Sequence, residues 1–401
     1  MSMSSLVSGL LCAATETRQI SETASSRQHS NTDHTFANNV RFISMAAIIG
    51  VHSIGSYSVI AQLPSVPALL LYFEQPLKFG TIAFFLVAGF LFGQRIDTCS
   101  AFEYFEKRLL NVFVPWLVWF SAYFSLVLGA DFIHGRLADS NFSQLVAECE
   151  DCLKYTAFWF VPNLLLCLAI LLLFRPFLKS IRTGILFALA SLFYAVNVYG
   201  HWVPVTHTRA LFGFVFYLWL GAWCAWHFPA LEKWIERIRV GAVVALLLLT
   251  LALALAESRL LYTLGSIDPM NTLRISNQVF SVVMVLAIMK LKRAVWPHFV
   301  DVRKHTFGLY LTHTSCLAVL ASVLKRILPR SPQSLMWRTG TEGLLLGLLL
   351  FCLTYAGCLI VVRVLLSNDR LRWTVGLPAG GKNTVAESPS EMRRKAILSV
   401  S

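Results

Sequence analysis

From residue 40 onward the chain alternates long apolar stretches with short polar ones. The stretches cover residues 40–60, 77–95, 109–128, 158–174, 184–200, 210–227, 240–256, 275–290, 305–323 and 342–366. About 20 apolar residues in a helix cross the hydrocarbon core of a bilayer. A membrane barrel would need polar and apolar positions to alternate, and these stretches do not alternate. The pattern predicts an all-α, polytopic transmembrane helical bundle of about ten spans. Before it, residues 1–38 are rich in Ser, Thr, Asn and Gln and read as a disordered polar tail. Within that tail LVSGLLCAA lacks a preceding basic residue and is too short to span. Residues 39–366 form the transmembrane domain, and residues 367–401, with EMRRK, read as a solvated tail.

Composition agrees with a membrane protein. The 401 residues are 56% hydrophobic and 14% charged, with mean hydropathy +0.64, against about 25% charged residues in a soluble domain. In a soluble protein the net charge of +13 would suggest nucleic acid. Here the bases sit between apolar runs, which suits lipid headgroups as partners and excludes nucleic acid. Sorting the connections by side places 24 of the 34 Lys and Arg on the side of both termini, so both termini are expected in the cytoplasm. One connection on the opposite side, with Lys325, Arg326, Arg330 and Arg338, breaks the trend. Another, residues 129–157, is acidic, with Asp131, Asp139, Glu148, Glu150 and Asp151. Cys149 and Cys152 form a lone CxxC there, without the second ligand pair that a zinc site needs, so no metal is expected.

Polar groups at membrane depth carry the candidate chemistry, because each costs about 2–3 kcal/mol to insert. In VRFISMAAIIGVHSIGS, Arg41 and His52 lie eleven positions apart. On a helix that is about three turns, so both side chains share a face roughly 16 Å apart along the axis. A neutral imidazole could take the proton of a hydroxyl as its oxygen attacks a carbonyl. Arg41 reads either as a headgroup anchor or as the holder of an anion at the mouth of a site. Lys107 and Arg108 open the third span, followed by Asn111 and Pro115; cations here either anchor the helix or bind phosphate. Pro115 frees a backbone carbonyl. Trp159 and Asn163 start the fourth span in FWFVPNLLL, and GLYLTHT places Tyr310 and His313 in the ninth. His313 reads as a second acid/base or as a packing partner.

These motifs together resemble the acyltransferase 3 family of integral membrane O-acyltransferases. RFISMAAIIGVH is similar to the family's basic residue and histidine of the first span, and FFLVAGFLFG to its second-span segment. KRLLNVFVPWLVW, WFVPNLL, FVFYLWLGAW and GLYLTHT are similar to the later motifs, in order. The resemblance implies that His52 is catalytic, that Arg41 is its functional basic partner and that Lys107 and Arg108 handle the acyl donor. Asn111 stands where the family often has a second arginine, and Ala88 where it has serine. The resemblance further implies acyl-CoA, most simply acetyl-CoA, as co-substrate with no bound cofactor. It implies O-acetylation of a carbohydrate or glycan of the cell envelope, with Trp159, Asn163, Tyr310 and His313 on the acceptor side or in support. A multi-pass location in a bacterial inner membrane goes with it, and no hydrolase-like extracellular domain is expected. A rival reading is a secondary transporter with His52 and His313 as a proton relay. A third, prompted by Ala88 and Asn111, is an inactive member serving as a scaffold.

Overall fold

The computed structural model describes residues 35–56, 72–136, 141–327 and 340–378, and among them every regular element is helical. The helices are α1 (35–56), α2 (Gly80–Gly93), α3 (Ala101–Arg108), α4 (Val114–Ile133), α5 (Phe142–Lys154) and α6 (Phe160–Leu173). They continue as α7 (Ile181–Gly200), α8 (Val215–Trp226), α9 (Phe228–Arg237) and α10 (Val240–Thr263). The last three are α11 (Ile275–Met289), α12 (Val302–Ile327) and α13 (Gly340–Ser367). The tail up to residue 34 with LVSGLLCAA, residues 57–60 of the first expected span, Asp139, Arg330, Arg338 and EMRRK lie outside the described residues.

Each of the ten apolar stretches carries a helix over most of its described residues, and the chain is built as a multi-pass membrane protein. Six helical segments are long and apolar enough to cross a membrane, or seven if the bent pair α5–α6 is one broken span. Two of the expected spans are short as helices: α8 has 12 residues and α11 has 15. Only 11% of the most apolar part of α10 is buried. Its outward leucines would be insoluble in water and are at home in lipid.

Three expectations about the connections need correction. The acidic connection 129–157 is not an open loop. It holds helix α5, started by a capping box in which Asn141 accepts from the Gln144 backbone and Gln144 accepts from that of Asn141. Cys149 and Cys152 sit on this helix as free thiols. The carboxy-terminal tail does not start at residue 367. Residues 368–378 fold back onto the bundle, with Thr374 and Val375 buried and the Trp119 indole donating to the Thr374 carbonyl at 3.0 Å. The amino-terminal boundary shifts too, because residues 35–38 already belong to α1.

Sequence explains the irregular entry into α4. Pro115 has no N–H to give to the carbonyl of Asn111, so the chain passes through one π turn, Leu109–Phe113, closed by Val114 N–H to the Leu109 carbonyl. Such wide turns absorb a residue without breaking the helix. A chain reversal at Gly376, with φ +81°, then brings the fold-back against the Asn111 carbonyl.

The centre of the bundle is the pair α2–α8, whose backbones touch. A Cβ on Gly89 would lie 1.9 Å from the Leu218 carbonyl oxygen, and one on Gly221 would lie 2.0 Å from that of Leu86. Small residues permit this approach, and helices in lipid associate through such close packing. Phe85 stacks on Phe214 at 4.7 Å beside the contact.

A buried polar network ties the opposite end together. Arg274 is fully buried; it donates to the carbonyls of Asn271 (3.0 Å) and Ala254 (2.9 Å) and to the side chain of Gln75. Gln75 donates to Asn277 at 2.9 Å, and Asn277 to the Thr272 carbonyl at 2.8 Å. A guanidinium at this depth persists because these acceptors replace water.

Gly221→Val should force α2 and α8 apart and cost about 3 kcal/mol, read as a lower melting temperature of the detergent-solubilised protein. Gly241→Ala, where nothing lies within 4 Å, should leave the melting temperature unchanged.

Candidate functional site

Two kinds of cavity lie along one face of α1. Arg41, Ile48 and His52 are spaced by seven and four positions, so they share that face. At the Arg41 end a cavity of about 270 Å³ is lined by Arg41, Arg108, Arg303, Asn111 and Tyr104, with apolar walls from Phe84, Ala88, Leu164 and Leu218. Among the described residues no carboxylate is in its lining. The charges acting on Arg41 are all positive, from Arg108, Arg303 and Arg95. Among the described residues its side chain hydrogen-bonds only Asn38, at 3.4 Å. Arg108 donates to the Tyr104 hydroxyl from two nitrogens, at 3.2 and 3.1 Å, and lies over the Tyr104 ring. Three guanidinium groups converging on a partly apolar hollow suit a polyphosphate with an organic arm.

Beyond Ile48 the character changes. A cavity of about 460 Å³ is lined by His52, Glu74, Lys78, Trp159, His207 and Asp268, with threonines around them. His52 also borders a third cavity of about 420 Å³, with Tyr123, Tyr155 and Thr314 in its wall. The polar side chains of the second cavity engage one another within the protein. Lys78 pairs with Glu74 at 3.2 Å, and His207 Nδ1 with Asp268 at 3.0 Å. Burial alone would raise the Asp268 carboxyl, but the adjacent His207 and Lys78 hold it below its ordinary range.

His52 meets His313 ring to ring, centroids 5.4 Å apart and tilted by 44°. His313 Nδ1 lies 2.6 Å from the Tyr310 carbonyl. A carbonyl only accepts, so Nδ1 carries the proton. Nε2 is then a bare lone pair, and it is buried without a hydrogen-bond partner. The His52 imidazole therefore lies between open cavity and a fixed neighbouring ring, and it can accept a proton from a molecule in either polar cavity.

The wall between the two ends is the break between α5 and α6. The two helices meet at 78°. A 3₁₀ turn at Ala157–Trp159 bridges the gap. Phe160 N–H closes this turn onto the Ala157 carbonyl, and two distant side chains add hydrogen bonds to its carbonyls. Tyr310 Oη donates to the Ala157 carbonyl at 2.7 Å and Trp116 Nε1 to that of Phe158 at 2.9 Å. Phe160 and Val161 then face the arginine cavity, while Tyr155, Thr156 and Trp159 face the polar one.

The structure brings Arg41, Arg108 and Asn111 together in one cavity, and places His52 and Trp159 in the other. Lys107 stands apart from both: it is exposed and ion-paired with Glu103 at 2.6 Å on the outer face of α3. Asn163 is buried, accepting from the Cys167 thiol at 3.3 Å, with its Nδ2 unpartnered and away from these linings. Tyr310 supports the break from the arginine side, and Ala88, the departure in the second span, lines the arginine cavity directly.

Arg303 was not singled out by sequence, although it shares a helix face with Thr306, Phe307 and Tyr310 at steps of three, four and seven. That period carried the signal. His207 and Asp268 lie 61 positions apart in connections, where no period links them.

A family model described as an acyltransferase domain, acyltransferase 3, matches residues 34–363, nearly the whole chain. No curated protein and no solved structure matches the chain.

Tyr310→Phe should remove the second hydrogen bond of the Ala157 carbonyl, which keeps Phe160 N–H, at a cost of about 1 kcal/mol. Thermal unfolding of the purified variant measures it, and Trp116→Phe should behave alike.

Proposed function

The chain belongs to the acyltransferase 3 family, and on that premise we propose that it is an O-acyltransferase, most simply an O-acetyltransferase. It takes the acyl group of acyl-CoA at the Arg41 end and delivers it to a hydroxyl of a carbohydrate or glycan in the cavity beyond His52. The observation that carries this reading is the layout of α1. One helix face leads from a hollow ringed by arginines, past Ile48, to an imidazole that borders a polar cavity whose lysines are paired with carboxylates.

Each part has a physical role. The phosphates of CoA would meet Arg41, Arg108 and Arg303, whose guanidinium groups have no carboxylate to neutralise them within the cavity. The pantetheine arm would lie along the apolar walls and carry the thioester past Ile48 toward His52. The Arg41-to-His52 rise of roughly 16 Å is of the order of that extended arm. At His52 the neutral imidazole takes the proton of the acceptor hydroxyl while the oxygen bonds to the thioester carbonyl carbon. The carbon–sulfur bond breaks, its electron pair stays on sulfur, and CoA leaves as thiolate. His313 supports the ring of His52 from behind. Exclusion of bulk water from this depth protects the thioester from hydrolysis.

The arginine cavity faces the cytoplasm in this reading, where acyl-CoA is made. Basic residues gather at that end: Arg175 donates to the Ile96 and Cys99 carbonyls, Lys179 pairs with Asp97, and Lys292 pairs with Glu232. This is the distribution that fixes a cytoplasmic side. The bundle then has ten spans, α8 and α11 crossing as short helices within the core, with both termini cytoplasmic. Glycan modification of the cell envelope sets it in a bacterial inner membrane. Family membership makes the chain an acyltransferase, so the transporter reading is set aside.

Purified protein given radiolabelled acetyl-CoA and a panel of glycan acceptors should move label to an acceptor. His52→Ala should lower that transfer by about 10²–10⁴-fold. Arg303→Ala should raise the KM for acetyl-CoA by about tenfold or more, through loss of a charge-assisted contact, whereas Lys107→Ala should leave it within about twofold, as befits a solvent-exposed ion pair. Equal transfer by wild type and His52→Ala would refute the assignment. Membrane-impermeant thiol reagents applied to intact cells should label Cys149 but not Cys99.

A further inference from the structure

We propose that His207 and Asp268 form the acceptor-recognition pair of the polar cavity: His207 Nε2 accepts a hydrogen bond from a second hydroxyl of a neutral polyhydroxy acceptor whose reacting hydroxyl lies at His52. The inference rests on the acyltransferase reading of the same site and adds to it a residue pair and a charge class for the acceptor.

Chemistry fixes the orientation of the ring. Asp268 is an acceptor, so the 3.0 Å contact with His207 assigns the proton to Nδ1 and leaves Nε2 of the neutral ring as a lone pair. His207 and Asp268 both line the cavity that His52 lines. Among the described residues no protein group hydrogen-bonds Nε2, while Asp268 Oδ2 is taken by His207 Nδ1 and by Asn271 Nδ2 at 3.1 Å.

The pair is held in place from behind. Asn271 is buried and also donates to the Val205 carbonyl at 2.6 Å, which locks the stretch before His207 to the stretch after Asp268. Trp159 meets the His207 ring edge-on at 5.4 Å. A hydrogen-bonding group fixed by buried neighbours loses little freedom when a ligand arrives. That is the character of a recognition group.

Charge decides the class of acceptor. Both lysines in this lining are paired with carboxylates, Lys78 with Glu74 and Lys154 with Glu150, and beside a neutral His207 ring Asp268 adds a negative charge. An acidic acceptor would find no cation to meet it, in contrast to the arginine cavity at the other end. Hydroxyl groups, which both donate and accept, suit such a lining, together with its threonines Thr81, Thr156, Thr206, Thr208 and Thr272.

The test compares wild type, His207→Asn and His207→Gln, using radiolabelled acetyl-CoA and the methyl glycosides of glucose, rhamnose and N-acetylglucosamine as probes. Asn keeps an amide near the place of Nδ1, so it can still donate to Asp268, but it has nothing at Nε2. The expected result is a rise of about tenfold in the KM for the glycoside, the size of one hydrogen bond, with the KM for acetyl-CoA and the melting temperature unchanged. Gln places an amide oxygen near Nε2 and should recover most of the loss. An unchanged glycoside KM in His207→Asn overturns the pair's role. So does a loss matched by a lower melting temperature and a raised acetyl-CoA KM, which marks a structural clasp. A wild type that transfers label to none of the glycosides, or only to acidic sugars added as a fourth probe, also overturns it. The first of those two results counts against the enzyme reading as well, and the second against the charge class alone.

Discussion

A helix that breaks at membrane depth must have its polar backbone met by protein groups, and the geometry of this site depends on two side chains that reach across to the break. The carbonyls of Ala157 and Phe158 receive Tyr310 Oη and Trp116 Nε1. Those donors come from α12 and α4, so the break draws both helices toward α1 and fixes their height beside it. Because the bend is held from two sides, residues before it face one cavity and residues after it face the other. Without those two donors the wall between basic and polar compartments would have no fixed position. A polar interaction that contributes only modestly to stability thus sets the spacing of the functional groups.

The fold was largely readable because membrane helices must satisfy their own backbones, which turns apolar run length into a structural signal. Each of the ten runs carries a helix over most of its described residues. The connections were less readable. Helix α5 is short and amphipathic, and its charged residues look like those of an open loop until Asn141 and Gln144 are seen as a capping box. The fold-back after α13 was invisible because its hold on the bundle is tertiary: a single indole hydrogen bond and the burial of Val375.

Within the site, helical spacing was the readable part. The eleven-residue interval from Arg41 to His52 gave a shared face before any coordinates, and the same arithmetic would have reached Arg303 from Tyr310. Lys107 illustrates the limit. It adjoins Arg108 in sequence, but neighbours on a helix point about 100° apart, and the structure turns one into the cavity and the other outward to Glu103. His207 and Asp268 belong to connections whose conformation is set by contacts with Asn271 and Val205, and no local pattern announces them.

The fold-back also bears on the order in which the protein is made. Gly376 lines the arginine cavity together with Arg41, so the hollow joins one of the first described residues to leave the ribosome with one of the last. Synthesis and membrane insertion of every helix between them must finish before that compartment is enclosed. A nascent chain therefore has His52 in place long before the compartment at the other end of the same helix is closed.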